Sequence, residues 1–151
     1  MNDSEKKFYD TCVSRNWSIE KASKHQDMHE HWDFKVRDSL IDVKGPKKTS
    51  RHDACFNYNE TWIELQNVRG QKGWLRGKAD YIAFEHIDHF LIVNRQDLLN
   101  WCKNKIETSS FVASPKEALY KLYRRKNRKD IISIIKIKDF QKDIKTWKLK
   151  Q

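Results

Sequence analysis

The sequence predicts a mixed α/β domain, with a strand-rich middle flanked by helices. Apolar and polar side chains alternate with period two at several places between residues 31 and 93. Helix-start signals stand near both ends of the chain. Aromatic residues make up 12%, six of them Trp, which marks a chain that folds despite 34% charged residues. With 151 residues a single domain, 1–151, is expected. Its core is expected over about residues 4–106, followed by a basic helix–strand–helix segment over about 115–151.

The elements follow in order. Asp3 or Ser4 caps a first helix, Glu5 lies in its opening turn, and Phe8, Cys12 and Val13 form its apolar stripe up to Asn16. Glu5 precedes Phe8 by three residues and shares that inward stripe. Trp17 and Ile19 alternate with Ser18 and Glu20, a short strand, and 24–30 reads as a loop. Residues 31–36 and 40–44 alternate on either side of Arg37-Asp38-Ser39, a hairpin ended by Gly45-Pro46. Trp32, Phe34 and Val36 are expected on one face with Asp33 on the other; Ile41 and Val43 oppose Asp42 and Lys44. Strands are expected at 61–68, 79–84 and 90–93, a helix at 96–106, and a helix start at Ser114-Pro115-Lys116-Glu117. A strand at 131–137 and a final amphipathic helix after Lys138 complete the list.

Several function classes are excluded. No run of about eighteen apolar residues exists, so no membrane span is expected, and no apolar stretch follows Met-Asn-Asp-Ser-Glu-Lys-Lys, so no secretory signal is expected. Cys12, Cys55 and Cys102 are odd in number and widely spaced, which fits a reducing, cytoplasmic setting. His25, His29, His31, His86 and His89 lack zinc-finger spacing, so structural zinc is not expected. No Walker loop or dinucleotide turn occurs, so no nucleotide cofactor is expected. The net charge is +10 and its surplus lies late: thirteen Lys/Arg against four Asp/Glu follow residue 115. A nearly balanced body with a basic end points to a polyanion.

The chemistry concentrates in the hairpin. Asp42 and Lys44, two apart on one strand, project from the same face, and Asp33 stands on the adjoining strand. Two carboxylates and a lysine on one face suit a divalent cation acting on a phosphodiester.

On these residues the chain resembles the PD-(D/E)XK nuclease superfamily, the restriction-endonuclease-like group that includes phage and archaeal Holliday-junction resolvases. The matching positions are Glu5 in the first helix, Trp32-Asp33, Asp42-Val43-Lys44, and Gln66 on the following strand, across about residues 4–95. Trp32 replaces the family's Pro, and Asp42 its commoner Glu. The resemblance implies a mixed central sheet flanked by helices, with Mg²⁺ (or Mn²⁺) held by Asp33, Asp42 and the Val43 carbonyl. It further implies Lys44 as the catalytic lysine with Glu5 and Gln66 in support, DNA as substrate and a homodimer. A phage-encoded member would work in the host cell's cytoplasm.

Basic side chains are expected to grip the backbone: Lys47 and Lys48 after the hairpin, then Arg69, Lys72, Arg76 and Lys78 in a segment holding three of the four glycines. Trp74 in that segment is expected to stack on a base. Arg124, Arg125 and Arg128 form a phosphate-tracking arm. The reading is therefore a Mg²⁺-dependent, structure-directed DNA endonuclease. Two alternatives stand beside it: a non-catalytic nucleic-acid-binding protein of the same fold, and an RNA-directed nuclease.

Overall fold

The computed structural model describes residues 1–49 and 55–151. Its helices are α1 (Asp3–Ser14), α2 (Arg95–Lys105) and α3 (Ile137–Asp143). The strands before α2 are β1 (Ile19–Lys21), β2 (Phe34–Val36), β3 (Ser39–Lys44), β4 (Lys47–Lys48), β5 (Phe56–Asn57), β6 (Glu60–Gln66), β7 (Tyr81–Glu85) and β8 (His89–Asn94). After it come β9 (Glu107–Val112), β10 (Lys121–Tyr123), β11 (Ile131–Lys136) and β12 (Thr146–Lys150). The chain is thus mixed α/β.

Among the described residues, six strands form one mixed sheet in the order β1-β2-β3-β7-β8-β12, and four form a second, β6-β11-β10-β9. β3 and β7 run parallel at the centre of the first sheet, pairing Asp42 with Ile82 and Lys44 with Phe84. That register gives the sheet two different faces. Ile41, Val43 and Ala83 pack with Phe8 and Cys12 of α1, whereas Ile82 and Phe84 pack with Ile63 of β6, Leu98 of α2 and Phe140 of α3. α1 covers part of one face, and β6, α2 and α3 cover the other, so the central strands are largely apolar on both sides. Asp42 and Lys44 belong to the second face.

Several expectations change. Asn2, not Asp3 or Ser4, caps α1; its side chain accepts from the Glu5 amide at 2.9 Å and its own amide donates to Glu5 Oε2 at 2.6 Å. The box outcompetes a cap one residue later because Glu5 occupies its third position. Ser114 opens a single 3-10 turn, Pro115–Glu117, followed by strand, because the chain there pairs with its neighbours instead of coiling. Residues 26–30, expected as a loop, form one π-helical turn. The basic C-terminal part is woven into both sheets through β10, β11 and β12; the expected last helix is the seven-residue α3, and β12 follows it where no strand was expected. Trp32 leaves the face of Phe34 and Val36 and packs with Trp74 and Phe84. The strand begins at Phe34, and His31 is left-handed (φ 60°), so two-residue alternation does not reach back to Trp32.

Candidate active site

The hairpin register decides whether the two aspartates meet. Phe34 pairs with Ile41 and the Asp33 amide donates to the Ile41 carbonyl at 2.8 Å, which sets Asp33 beside Asp42. Asp33 Oδ2 accepts from the Val43 amide at 2.7 Å. Lys44 Nζ lies 3.1 Å from Asp42 Oδ2. The aspartates are 5% and 4% exposed, so the expected polar face is in fact interior. They open into a pocket of about 260 Å³ whose walls include Glu5, His31, Val43 and Lys44. The N-terminus of α1 reaches this pocket because Gly45 lets it close in: a Cβ there would stand 2.7 Å from Ser4 Oγ.

Such packing has an electrostatic consequence. Burial first, then the negative charge of Asp42, pushes the Asp33 carboxyl up to about 9, and Glu5 lies within hydrogen-bonding reach of it. Asp42 is also raised by burial, with Lys44 pulling the other way. Both directions agree: without a cation the pair holds a proton, carried on Asp33 and shared with Asp42. Like charges pressed together behave in this way.

Mg²⁺ is the group the resemblance implies, and these residues fit it. Asp42 Oδ2 is buried and makes no aligned hydrogen bond, its approach to Lys44 being an ion pair. Two adjacent carboxylates holding a proton form a donor set that a hard cation can take over, and Mg²⁺ needs few protein ligands beside water and phosphate oxygens. Among the described residues no three His, Cys, Asp or Glu side chains form a ready-made ligand group, and a two-carboxylate site does not call for one.

Of the expected site residues, Glu5, Asp33, Asp42, Val43 and Lys44 are brought together. Gln66 is not. Its amide donates to the Lys129 carbonyl at 2.6 Å, on the exposed rim of the second sheet. The residue of β6 that does face Lys44 is Glu64, whose carboxyl is raised by burial, with the Lys44 charge and the Trp74 amide opposing. Glu64 and Gln66 share one side of an alternating strand, so the alternation identifies the side but not the position. His31, which its position two residues before Asp33 already puts near the site, lines the pocket as well: its ring nitrogen Nε2 meets the Lys72 carbonyl at 2.9 Å, which fixes that nitrogen as a donor.

The glycine-rich segment serves packing. A Cβ on Gly73 would stand 2.4 Å from the Glu64 carbonyl oxygen, and one on Gly77 would stand 2.7 Å from His31 Cβ. These glycines admit the chain's own backbone. Trp74 is 7% exposed, with its ring centre 4.7 Å from Lys44 Nζ, so it shields the lysine and does not present a face for a base. Arg95 pins the segment through the Leu75 and Ala79 carbonyls at 3.0 and 2.7 Å.

The cations divide. Lys48, Arg69, Lys72, Arg76, Lys78 and Arg128 are exposed. Lys47 is 3.8 Å from Glu60, and Arg124 stacks over Phe111 at 4.5 Å. Arg125 is bound to Asp130, which is 1% exposed, and so has a structural task inside the expected phosphate arm. Comparison with family models, curated proteins and solved structures returned no match. No described helix is long and apolar enough to cross a membrane.

Proposed function

We propose that the chain is a small Mg²⁺-dependent DNA endonuclease with a restriction-endonuclease-like core, cutting branched or junction DNA in the cytoplasm. The observation that carries this reading is the Asp33–Asp42–Lys44 group: two interior carboxylates side by side, a lysine 3.1 Å from one of them, and a polar pocket open to solvent beside them. Bound there, Mg²⁺ would supply Lewis acidity toward a phosphate oxygen and a more acidic water. Asp33 and Asp42 would hold it, giving up their shared proton.

The chain's own residues do the rest. The Val43 amide fixes the Asp33 carboxylate, and the α1 capping box fixes Glu5, so both carboxylates are set before substrate arrives. Lys44 is held by Asp42 on one side and the Trp74 ring on the other. From there its ammonium can orient a water and stabilise charge building on the phosphorus oxygens. Exposed Lys72 and Lys78, tied to the His31 turn through the Lys72 carbonyl and the Lys78 amide, would meet the DNA backbone, whereas Arg76 borders a separate pocket with Leu99 and Cys102. A homodimer would place two such pockets against two strands.

Digestion of linear, nicked, single-stranded and four-way DNA with Mg²⁺ or Mn²⁺, with Asp42→Ala as the blank, tests the reading. Metal-dependent cutting lost in Asp42→Ala supports it. Binding without cutting assigns a passive nucleic-acid module, and cutting of matched RNA alone assigns an RNA-directed nuclease.

A further inference from the structure

The α1 face of the large sheet carries a second feature, on the side opposite Asp42 and Lys44. Phe8 of α1 covers Phe34 and Phe90, with ring centres 5.8 and 5.3 Å away. Beyond that contact the sheet is open, leaving a groove of about 480 Å³ lined by Trp17, Val36, Ile41, Tyr81, Ile92 and Trp147. Trp147 is 41% exposed, on the edge strand β12, and meets Tyr81 edge-on at 5.8 Å.

The groove is apolar in its floor and cationic at its rim. Arg37 and Arg15 lie 5.0 and 5.8 Å from the Trp17 ring centre, and Lys145 lies 5.1 Å from that of Trp147. Arg15 also donates to the Lys150 carbonyl at 2.7 Å, so its position is set in advance. Arg37 stands in the wall itself, whereas Lys148, opposite Leu91 on β8, turns to the other face of the sheet. Aromatic rings interleaved with cations match a single-stranded polynucleotide, whose bases stack and whose phosphates pair with the charges. A planar guanidinium on Trp17 offers its outer face to a base as readily as the indole does. A second copy of this chain fits poorly, because its rim would bring three more cations against these three.

We propose that this groove binds single-stranded nucleic acid, with bases against Trp17 and Trp147 and phosphates at Arg15, Arg37 and Lys145. The site stands apart from the carboxylate pocket, so it holds whether or not that pocket cleaves.

The test is titration of the full chain, in EDTA, with a labelled oligothymidylate of about twelve nucleotides, within the span of one such groove. Tryptophan fluorescence should be quenched on binding. Trp17→Ala and Trp147→Ala should each weaken binding about tenfold, and Arg37→Gln with Lys145→Gln should lower the salt slope by about 1.4, the share of two phosphates on a single strand. Gln66→Ala, on the rim of the second sheet, should bind as the unaltered chain does. Unchanged affinity in Trp147→Ala overturns the proposal, as does equal competition by a duplex of the same length. A dimer that becomes monomeric in Trp147→Ala, with oligonucleotide affinity intact, reassigns the groove to self-association. Should Trp17→Ala fail to fold, the exposed Trp147 and the charge variants still decide.

Discussion

Lys44 Nζ stands 4.7 Å from the centre of the Trp74 ring, an ammonium lodged over an indole that is itself buried. The ring packs edge-on to Phe84 at 6.4 Å, so it cannot swing away from the lysine without opening the core. Cleavage should therefore respond differently to the two side chains. Lys44→Ala should lower the rate at saturating Mg²⁺ and DNA by about 10²-fold or more, with DNA affinity nearly unchanged. Trp74→Leu should lower that rate about tenfold through a less ordered lysine and cost about 2 kcal/mol of stability. Single-turnover rates beside thermal melts separate the two; equal rates for Trp74→Leu and the unaltered chain refute the positioning role.

The proton shared by Asp33 and Asp42 makes stability depend on pH. The Asp33 carboxyl rises from 3.8 to about 9 on folding, so between those limits the folded chain holds a proton that the unfolded chain has lost. Protons bound in the native state make stability fall as pH rises. The metal-free protein should thus be most stable below about pH 4, as far as this group is concerned, and lose that contribution progressively toward about pH 9. Asp33→Asn should flatten this slope in urea titrations at pH 5.5 and 8.5. Mg²⁺ should raise the melting temperature more at the higher pH, since the proton it displaces is held less tightly there.

Glu64 and Gln66 sit two residues apart on β6 and should behave oppositely. Gln66→Ala frees the Lys129 carbonyl on an exposed rim and should leave cleavage within about twofold, with a stability loss of about 1 kcal/mol. Glu64→Gln removes a carboxylate that faces Lys44 and should change the pH profile of cleavage. Parallel pH–rate profiles for the two variants decide it; a larger activity loss in Gln66→Ala restores the sequence-based assignment.

What the sequence made legible follows from where period and chemistry coincide. The Asp33 and Asp42-Val43-Lys44 positions were readable because a tight hairpin fixes which residues face each other, and the turn at Arg37-Asp38 is short. Glu5 was placed by its helix, though its capping partner was missed because Asn2 precedes two other good caps. β9 was not readable, since Glu107, Thr108, Ser109 and Ser110 are all polar and leave no apolar side to recognise. β10 is three residues long, too short to show a period. In β12 Trp147 and Leu149 do alternate with lysines, but the partner that makes this a strand is the distant β8. Gly73 and Gly77 misled for a physical reason: a close approach by the chain's own backbone leaves the same signature as a close approach by a phosphate.

Arg125 tells structure from binding inside the basic arm. Its guanidinium bonds Asp130 Oδ2, while Asp130 Oδ1 is buried without a hydrogen-bond partner. Removing the arginine leaves a carboxylate 1% exposed and uncompensated. Breaking a fully buried pair costs about 3–5 kcal/mol; because the Arg125 side chain is 45% exposed, solvent screening lowers the expected loss to about 2 kcal/mol. Arg125→Gln should therefore lower the denaturation midpoint, whereas Arg128→Gln should leave it unchanged and weaken DNA binding alone. Adding Asp130→Asn to Arg125→Gln should recover part of the loss, because the stranded charge is gone. A double-mutant cycle by urea denaturation measures the coupling, and a value near zero would show that the pair contributes nothing to the fold.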